Sequence, residues 1–280
     1  MKTTATKSAM PSLVLRRSLL GVGALAALMF TGCGGSAPTP DGPSPLVVGM
    51  ELDYPPFEMR SADGEPDGIS VRLAEELAKY LDRPVRIEPM AWDGLIPSLQ
   101  TKKIDLIISS MTRTEEREKS IAFSDGYVTN GLCMLVGKDS TIQSSDDLSE
   151  STAKVAVKLG TTGHTWAQQH LEGVELVVLD DAAACVLEVV QGKAAAFIYD
   201  QISIYQHWKR HTDTTRPILK PIRAETWAIG LRHGESELLG RINAFLAESR
   251  AKGLFDNLAG RYMADEKKAF EDLGVPFIFH

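Results

Sequence analysis

Cysteine is nearly absent from this chain: of 280 residues, only Cys33, Cys133 and Cys185 carry a thiol. A single bridge between Cys133 and Cys185 is no framework for a chain this long, so disulfides do not define the fold. The sequence leaves open whether those two pair or stay as buried thiols. Basic residues are outnumbered, 30 Lys and Arg against 37 Asp and Glu, and the net charge of −7 argues against nucleic acid or an anionic membrane surface as partner. There is no HExxH, no nucleophile elbow and no phosphate-cradling glycine loop, which removes the common zinc-hydrolase, serine-hydrolase and nucleotide-binding readings. His207 and His211 share one helix face in HWKRH without a third ligand nearby, so they read as a solvated face and neither metal nor cofactor is expected. Nor is any apolar run long enough to span a bilayer, which takes about 20 residues.

What is present begins with a basic leader, Lys2, Lys7, Arg16 and Arg17, followed by an apolar run from Leu19 to Phe30 of about 12 residues. A run that short behind basic flanks is a secretory signal, here residues 1–32. Phe30-Thr31-Gly32-Cys33 then resembles the lipobox of bacterial lipoproteins, which implies acylation of Cys33; ordinary cleavage with Cys33 incidental is the plainer alternative. Arg16-Arg17-Ser18-Leu19-Leu20 also fits a twin-arginine signal weakly, so the export route stays open. Residues 33–45 are rich in Gly, Pro and Ser and lack apolar periodicity, as expected of a flexible tether. The expectation is an exported body in the periplasm or at the cell surface, held to the membrane through Cys33.

The body, from about Leu46 to His280, has the composition of a globular protein, 44% hydrophobic and 24% charged over the whole chain. It is long enough for two domains of ordinary size. Short apolar runs alternate with amphipathic stretches. Strands are expected at Leu46–Glu51, Val85–Met90, Ile104–Ile108, Leu132–Val136, Lys154–Lys158, Val174–Leu179, Ala195–Tyr199 and Trp227–Leu231. Helices are expected from Ile69 through Leu81 behind a cap at Asp67, from Ala183 to Gln191, and from Leu238 to a stop at Gly253. Apolar strands bracketed by helices indicate an α/β fold with mostly parallel sheets. In such sheets ligands bind beyond the carboxyl ends of the strands. Those ends carry Glu51, then Ser109 and Ser110 with Thr112 and Arg117 just after, then Lys158 before Gly160-Thr161-Thr162-Gly163, then Asp200. Any one could be a helix cap; four polar strand ends of both charge signs are harder to dismiss.

Together the segments Val48–Glu58, Trp92–Arg117, Ile121–Tyr127, Lys158–Gly163 and Gly192–Asp200 resemble the polar amino-acid-binding branch of periplasmic solute-binding proteins, extracellular family 3. The resemblance runs from Val47 to about Tyr262. It departs at Gly68-Ile69-Ser70, where the family usually has Gly-Phe-Asp, and at Arg72, where an acid is frequent. It implies the type II periplasmic-binding-protein fold, two α/β lobes joined by two hinge strands near Thr129–Gly131 and Arg223–Thr226. One lobe would then be 46–130 plus 225–280 and the other 131–224, with the tail after Tyr262 on the first. It also implies a monomer that delivers a free L-amino acid to an ABC permease.

A free amino acid presents a carboxylate and an ammonium on one carbon, and both hydration shells must be replaced by matched partners. Arg117, whose planar fork can grip a carboxylate twice, is the carboxylate candidate, with backbone N–H groups at Thr161 and Thr162. Asp200 is the ammonium candidate, helped by the Thr112 hydroxyl and the Ser110 carbonyl. Tyr54 and Trp92 are expected as aromatic walls. Glu51 suits a donor and Lys158 an acceptor, which together suit glutamine, followed by arginine or lysine and then glutamate. The same pair could instead form a salt bridge across the cleft. The main alternative is an enzyme on the same scaffold, a cyclohexadienyl or arogenate dehydratase, with Glu51 or Asp200 as general acid.

Overall fold

The computed structural model describes residues 42–149, 154–274 and 277–279; the signal segment, Cys33 and most of the 33–45 tether lie outside them. In chain order the body begins β1 (Leu46–Met50), β2 (Met59–Arg60), β3 (Pro66–Asp67), α1 (Ile69–Tyr80) and β4 (Val85–Pro89). A single 3-10 turn at Trp92–Gly94 leads into α2 (Leu95–Gln100), β5 (Leu106–Ile107) and α3 (Glu115–Glu118). Then come β6 (Ala122–Gly137), α4 (Asp146–Ser149), β7 (Val155–Lys158), α5 (Thr162–His170), β8 (Leu176–Leu179) and α6 (Ala182–Val190). The chain closes with β9 (Ala196–Asp200), α7 (Gln201–Arg210), β10 (Thr215–Leu231), α8 (Ser236–Ala251), α9 (Leu254–Tyr262) and α10 (Ala264–Asp272). Among the described residues, no helix is long and apolar enough to cross a membrane.

The main sheet runs β4-β1-β5-β10-β6-β9-β7-β8. Its two ends are parallel, β4-β1-β5 on one side and β9-β7-β8 on the other, as continuous apolar strands bracketed by helices require. The centre is antiparallel: β6 pairs with β10, β10 with β5 and β6 with β9. Sequence patterning finds only the apolar ends of these central strands, Leu132–Val136 and Trp227–Leu231. Their remaining turns of Gly, Asn, Asp and Pro carry little intrinsic strand preference, and it is the partner strand that makes them extended. Asn130 faces Glu225 and Gly131 faces Ala224 in this register.

The apolar core follows the same division. Leu46, Val48 and Met50 of β1 meet Leu73 and Leu77 of α1, Leu246 of α8 and Leu258 of α9 at one end. Val155 and Val157 of β7 meet Trp166 of α5 and Ile198 of β9 at the other, while Cys133, Cys185 and Phe197 fill its opposite face. Cys133 and Cys185 are both buried free thiols. The C-terminal tail reaches further than the first parallel end: Phe279 lies 5.6 Å from Phe255 and 6.4 Å from Phe57, but Phe270 also meets Tyr205 of α7 edge-on at 5.3 Å.

α1 starts at Gly68 without a side-chain cap. A Cβ there would fall 2.3 Å from the Phe57 carbonyl oxygen, and the backbone φ of 115° also needs glycine. Asp67, the expected cap, is drawn away instead. Its Oδ1 accepts from Arg72 Nη2 and from the Tyr262 hydroxyl, both at 2.7 Å, and Arg72 also donates to Glu75 at 2.8 Å. Arg72 therefore ties α1 to α9. Hydrogen bonds from Arg72 and Tyr262 outweigh desolvation and hold the Asp67 carboxyl at about 2, from an ordinary 3.8. A carboxyl lowered in the folded state adds stability above its unfolded value and loses it as pH falls toward the folded one. Asp67→Asn should therefore cost about 1 kcal/mol at pH 7. In urea titrations that difference from wild type should shrink as the pH is taken from about 4 to 2. An unchanged difference across that range would remove Asp67 as its source.

Candidate functional site

The carboxyl ends of β1, β5 and β9 and the amino end of α5 converge on one cavity. Glu51 follows β1, and its backbone N–H donates to Ser109 Oγ at 3.0 Å, which locks the loop after β5 against β1. Ser110 and Thr112 continue that loop, and all four residues line the cavity. Tyr54 sits in a tight turn closed by Tyr54 N–H to Glu58 O at 2.8 Å and Glu58 N–H to Tyr54 O at 3.0 Å. This turn carries its ring into the wall, 5.8 Å from Trp227. The Tyr54 hydroxyl is buried near Asp200 without a well-formed hydrogen bond.

Arg117 is placed by α3. The Thr114 hydroxyl caps that turn by accepting from Arg117 N–H at 3.2 Å, which points the side chain back over the loop. Its Nη1 donates to the Thr112 carbonyl at 2.7 Å and its Nη2 to the Gly160 carbonyl at 3.2 Å, while the guanidinium lies 5.3 Å from the Trp92 ring centroid. These carbonyls carry no net charge, and among the described residues the cation forms no salt bridge. Burial accordingly pulls Arg117 down to about 10 from 12.5, against the opposing attraction of Glu225. Trp92 is half-buried, and its indole N–H donates to the same Gly160 carbonyl at 3.2 Å.

From the other end of the sheet come Thr161, Thr162 and Asp200. Thr161 caps α5 and Thr162 is its first residue, but the Thr161 N–H is engaged with the Lys158 carbonyl at 3.3 Å. The expected anion-binding donor there is thus occupied, because the turn after β7 closes on it. Asp200 ends β9 and caps α7: its Oδ1 accepts from Ser203 N–H at 3.0 Å and from Asn130 Nδ2 at 3.3 Å. Burial raises its pKa, with the Ser203 N–H opposing.

Lys158 stands just behind the wall, 3% exposed, with Nζ 2.5 Å from Glu51 Oε2. The salt bridge weighed from the sequence is the arrangement found. Of the expected residues, Glu51, Tyr54, Trp92, Ser109, Ser110 and Thr112 line the cavity from the β1–β5 side, and Arg117, Thr161, Thr162 and Asp200 complete it; Lys158 reaches it through Glu51.

Four further residues line it that sequence reasoning missed: Glu58, Tyr199, Glu225 and Trp227. Glu225 is buried on β10 and joins both sides, accepting from Thr112 Oγ1 at 3.1 Å, Thr162 Oγ1 at 2.9 Å and Arg223 Nε at 3.0 Å. Its only sequence signal is its place in the expected return hinge, Arg223–Thr226. Among the described residues, no group of three His, Cys, Asp or Glu side chains is placed to hold a metal ion.

With that geometry in hand, the chain compares closely with known proteins. The family Bacterial extracellular solute-binding proteins, family 3, matches residues 46–265. The L-cystine-binding protein TcyJ of Escherichia coli K12 is 32% identical, over 78% of this chain and 82% of its own. The L-arginine-binding protein of Pseudomonas aeruginosa is 30% identical, over 88% and 96%. Among solved structures, a mutant of ArgBP from T. maritima is 37% identical with a TM-score of 0.72, over 78% of this chain and 95% of that one. These relatives are named as binding proteins, not as enzymes. The chain belongs to the bacterial extracellular solute-binding proteins, family 3, with the α/β architecture of periplasmic binding proteins.

Proposed function

We propose that this protein captures one free L-α-amino acid with a polar side chain and presents it to the permease of an ABC importer. The observation that carries the reading is the meeting of Arg117, which pairs with no carboxylate among the described residues, and Asp200, a buried carboxylate, in the wall of one cavity. A zwitterion supplies both missing counter-charges at once. Arg117 takes the α-carboxylate with Thr162 N–H in support, and Asp200 takes the ammonium with the Thr112 hydroxyl and Ser110 carbonyl. Tyr54 and Trp92 cover the aliphatic part of the ligand and exclude water.

In this reading residues 46–130 and 225–280 form one lobe and 131–224 the other, hinged where β6 and β10 cross. Arg117 then belongs to the first lobe and Asp200 to the second, so the ligand makes all its contacts only in the closed form and draws the equilibrium toward it. Glu225 bridges Thr112 and Thr162 at the pivot. A monomer anchored through acylated Cys33 would meet the permease at the outer face of the membrane. The similarity to TcyJ and the arginine-binding proteins supports an amino acid as the solute.

The Glu51–Lys158 pair bears on the side chain. A buried pair presents one acceptor and one donor, and the amide of glutamine matches both, so glutamine is the first choice. Arginine or lysine comes next, favoured by similarity to arginine-binding proteins; either requires Glu51 to leave Lys158. Glutamate comes third, through Lys158.

Three measurements test this. A thermal-shift screen of the twenty protein amino acids plus cystine should single out one or two ligands, because a ligand that binds only the folded state raises its midpoint. With the ligand so identified, Arg117→Ala should weaken calorimetric affinity by roughly 30-fold or more, the effect of removing one partner of a desolvated charge pair. Near-wild-type affinity in that variant would sink the assignment. Finally, Lys158→Met should shift preference toward arginine or lysine, because it frees Glu51 to take a cation. Unchanged selectivity would remove the pair from the specificity pocket.

A further inference from the structure

Glu58 has no task in that clamp, yet it lines the same cavity and is only 1% exposed. Its backbone closes the turn that carries Tyr54, and its Oε2 lies 3.1 Å from Ser110 Oγ. Ser110 is the other half of the observation. Its φ of 52° puts it in the left-handed region, which L side chains rarely adopt and which persists only where neighbours enforce it. On one side of Ser110 the loop is tied to β1 through Ser109 Oγ, and on the other Thr112 bridges to Trp227 of β10. The Glu58 carboxyl holds the turning residue itself.

We propose that Glu58 is a positioning residue, whose carboxyl pins Ser110 in its left-handed conformation and so aims the Ser110 carbonyl and Thr112 hydroxyl at the ligand's ammonium group. The proposal rests on the amino-acid reading of the cavity. One hydrogen bond then couples two walls, because the same carboxyl belongs to the turn that presents Tyr54. If either moved alone, the cavity would lose its shape at the ammonium end.

The form of the carboxyl follows from its surroundings. Burial pushes Glu58 up to about 8, against the Ser70 and Ser110 hydroxyls and Lys158, while Glu51 adds to the rise. The phenols of Tyr54, Tyr127 and Tyr199 also face it, and Arg117, Asp200 and Glu225 line the same cavity. The phenols supply no positive charge, and Lys158 is already held by Glu51. At neutral pH the tether is therefore a neutral acid, and an amide of the same shape can replace it.

The test uses calorimetric titration of the full chain at neutral pH with the amino acid found for wild type. Glu58→Gln should bind within about threefold of wild type at pH 7, and Glu58→Ala should bind about tenfold or more weakly. In a Ser110→Gly background, where glycine adopts the left-handed backbone unaided, Glu58→Ala should cost little further. Wild-type affinity in a folded Glu58→Ala, or an undiminished effect in the Ser110→Gly background, would overturn the proposal. Urea unfolding without ligand gives a separate readout, an energetic coupling between Glu58 and Ser110. If that coupling is absent, the positioning role fails whatever the ligand. If it is present while wild type binds no amino acid, only the amino-acid reading fails.

Discussion

A charge held away from water must meet an opposite charge or a set of oriented donors, or it will not stay charged. The cavity of this protein gathers Glu51, Glu58, Asp200 and Glu225 with Arg117, and Lys158 stands just behind. Each meets that constraint differently. Glu51 takes Lys158, Glu225 takes two threonine hydroxyls and Arg223, and burial pushes Glu58 up toward its neutral form. Arg117 has carbonyls, and Asp200 has a helix N-terminus and an amide. Those last two arrangements leave charge uncompensated, and a zwitterionic ligand is what would complete them.

The fold exists to bring such groups together from distant parts of the chain. Two parallel α/β ends each present strand carboxyl ends and helix amino ends, and the long antiparallel pair β6 and β10 joins them. Because the pair crosses between the ends, Glu225 on β10 can hold Thr112 and Thr162, which otherwise share no element. Sequence-distant contacts of this kind gain their value from the crossing and not from local propensity.

Away from the crossing, Arg72 binds Asp67 and, beside Tyr262, ties α1 to α9. The tail beyond the family match continues the same surface, with Phe279 on Phe57 and Phe270 on Tyr205 of α7. These contacts tie helices around the sheet, while polar residues stand at the strand ends that line the cavity.

The sequence by itself determined the α/β class, the parallel strands and the set of polar strand ends, because apolar periodicity and the position of strand ends are local properties. Ten of the expected residues line one cavity for that reason, and Lys158 stands beside it. Tertiary structure alone decided the rest. Asp67 has the chemistry of a cap but gives its carboxylate to Arg72 and Tyr262, partners far apart in the chain. The extended centres of β6 and β10 come from each other, not from their Gly, Asn and Pro residues. Glu58, Tyr199, Glu225 and Trp227 carry no local mark of a binding site; what they face is set by the crossing strands and by desolvation, and neither is written in neighbouring residues.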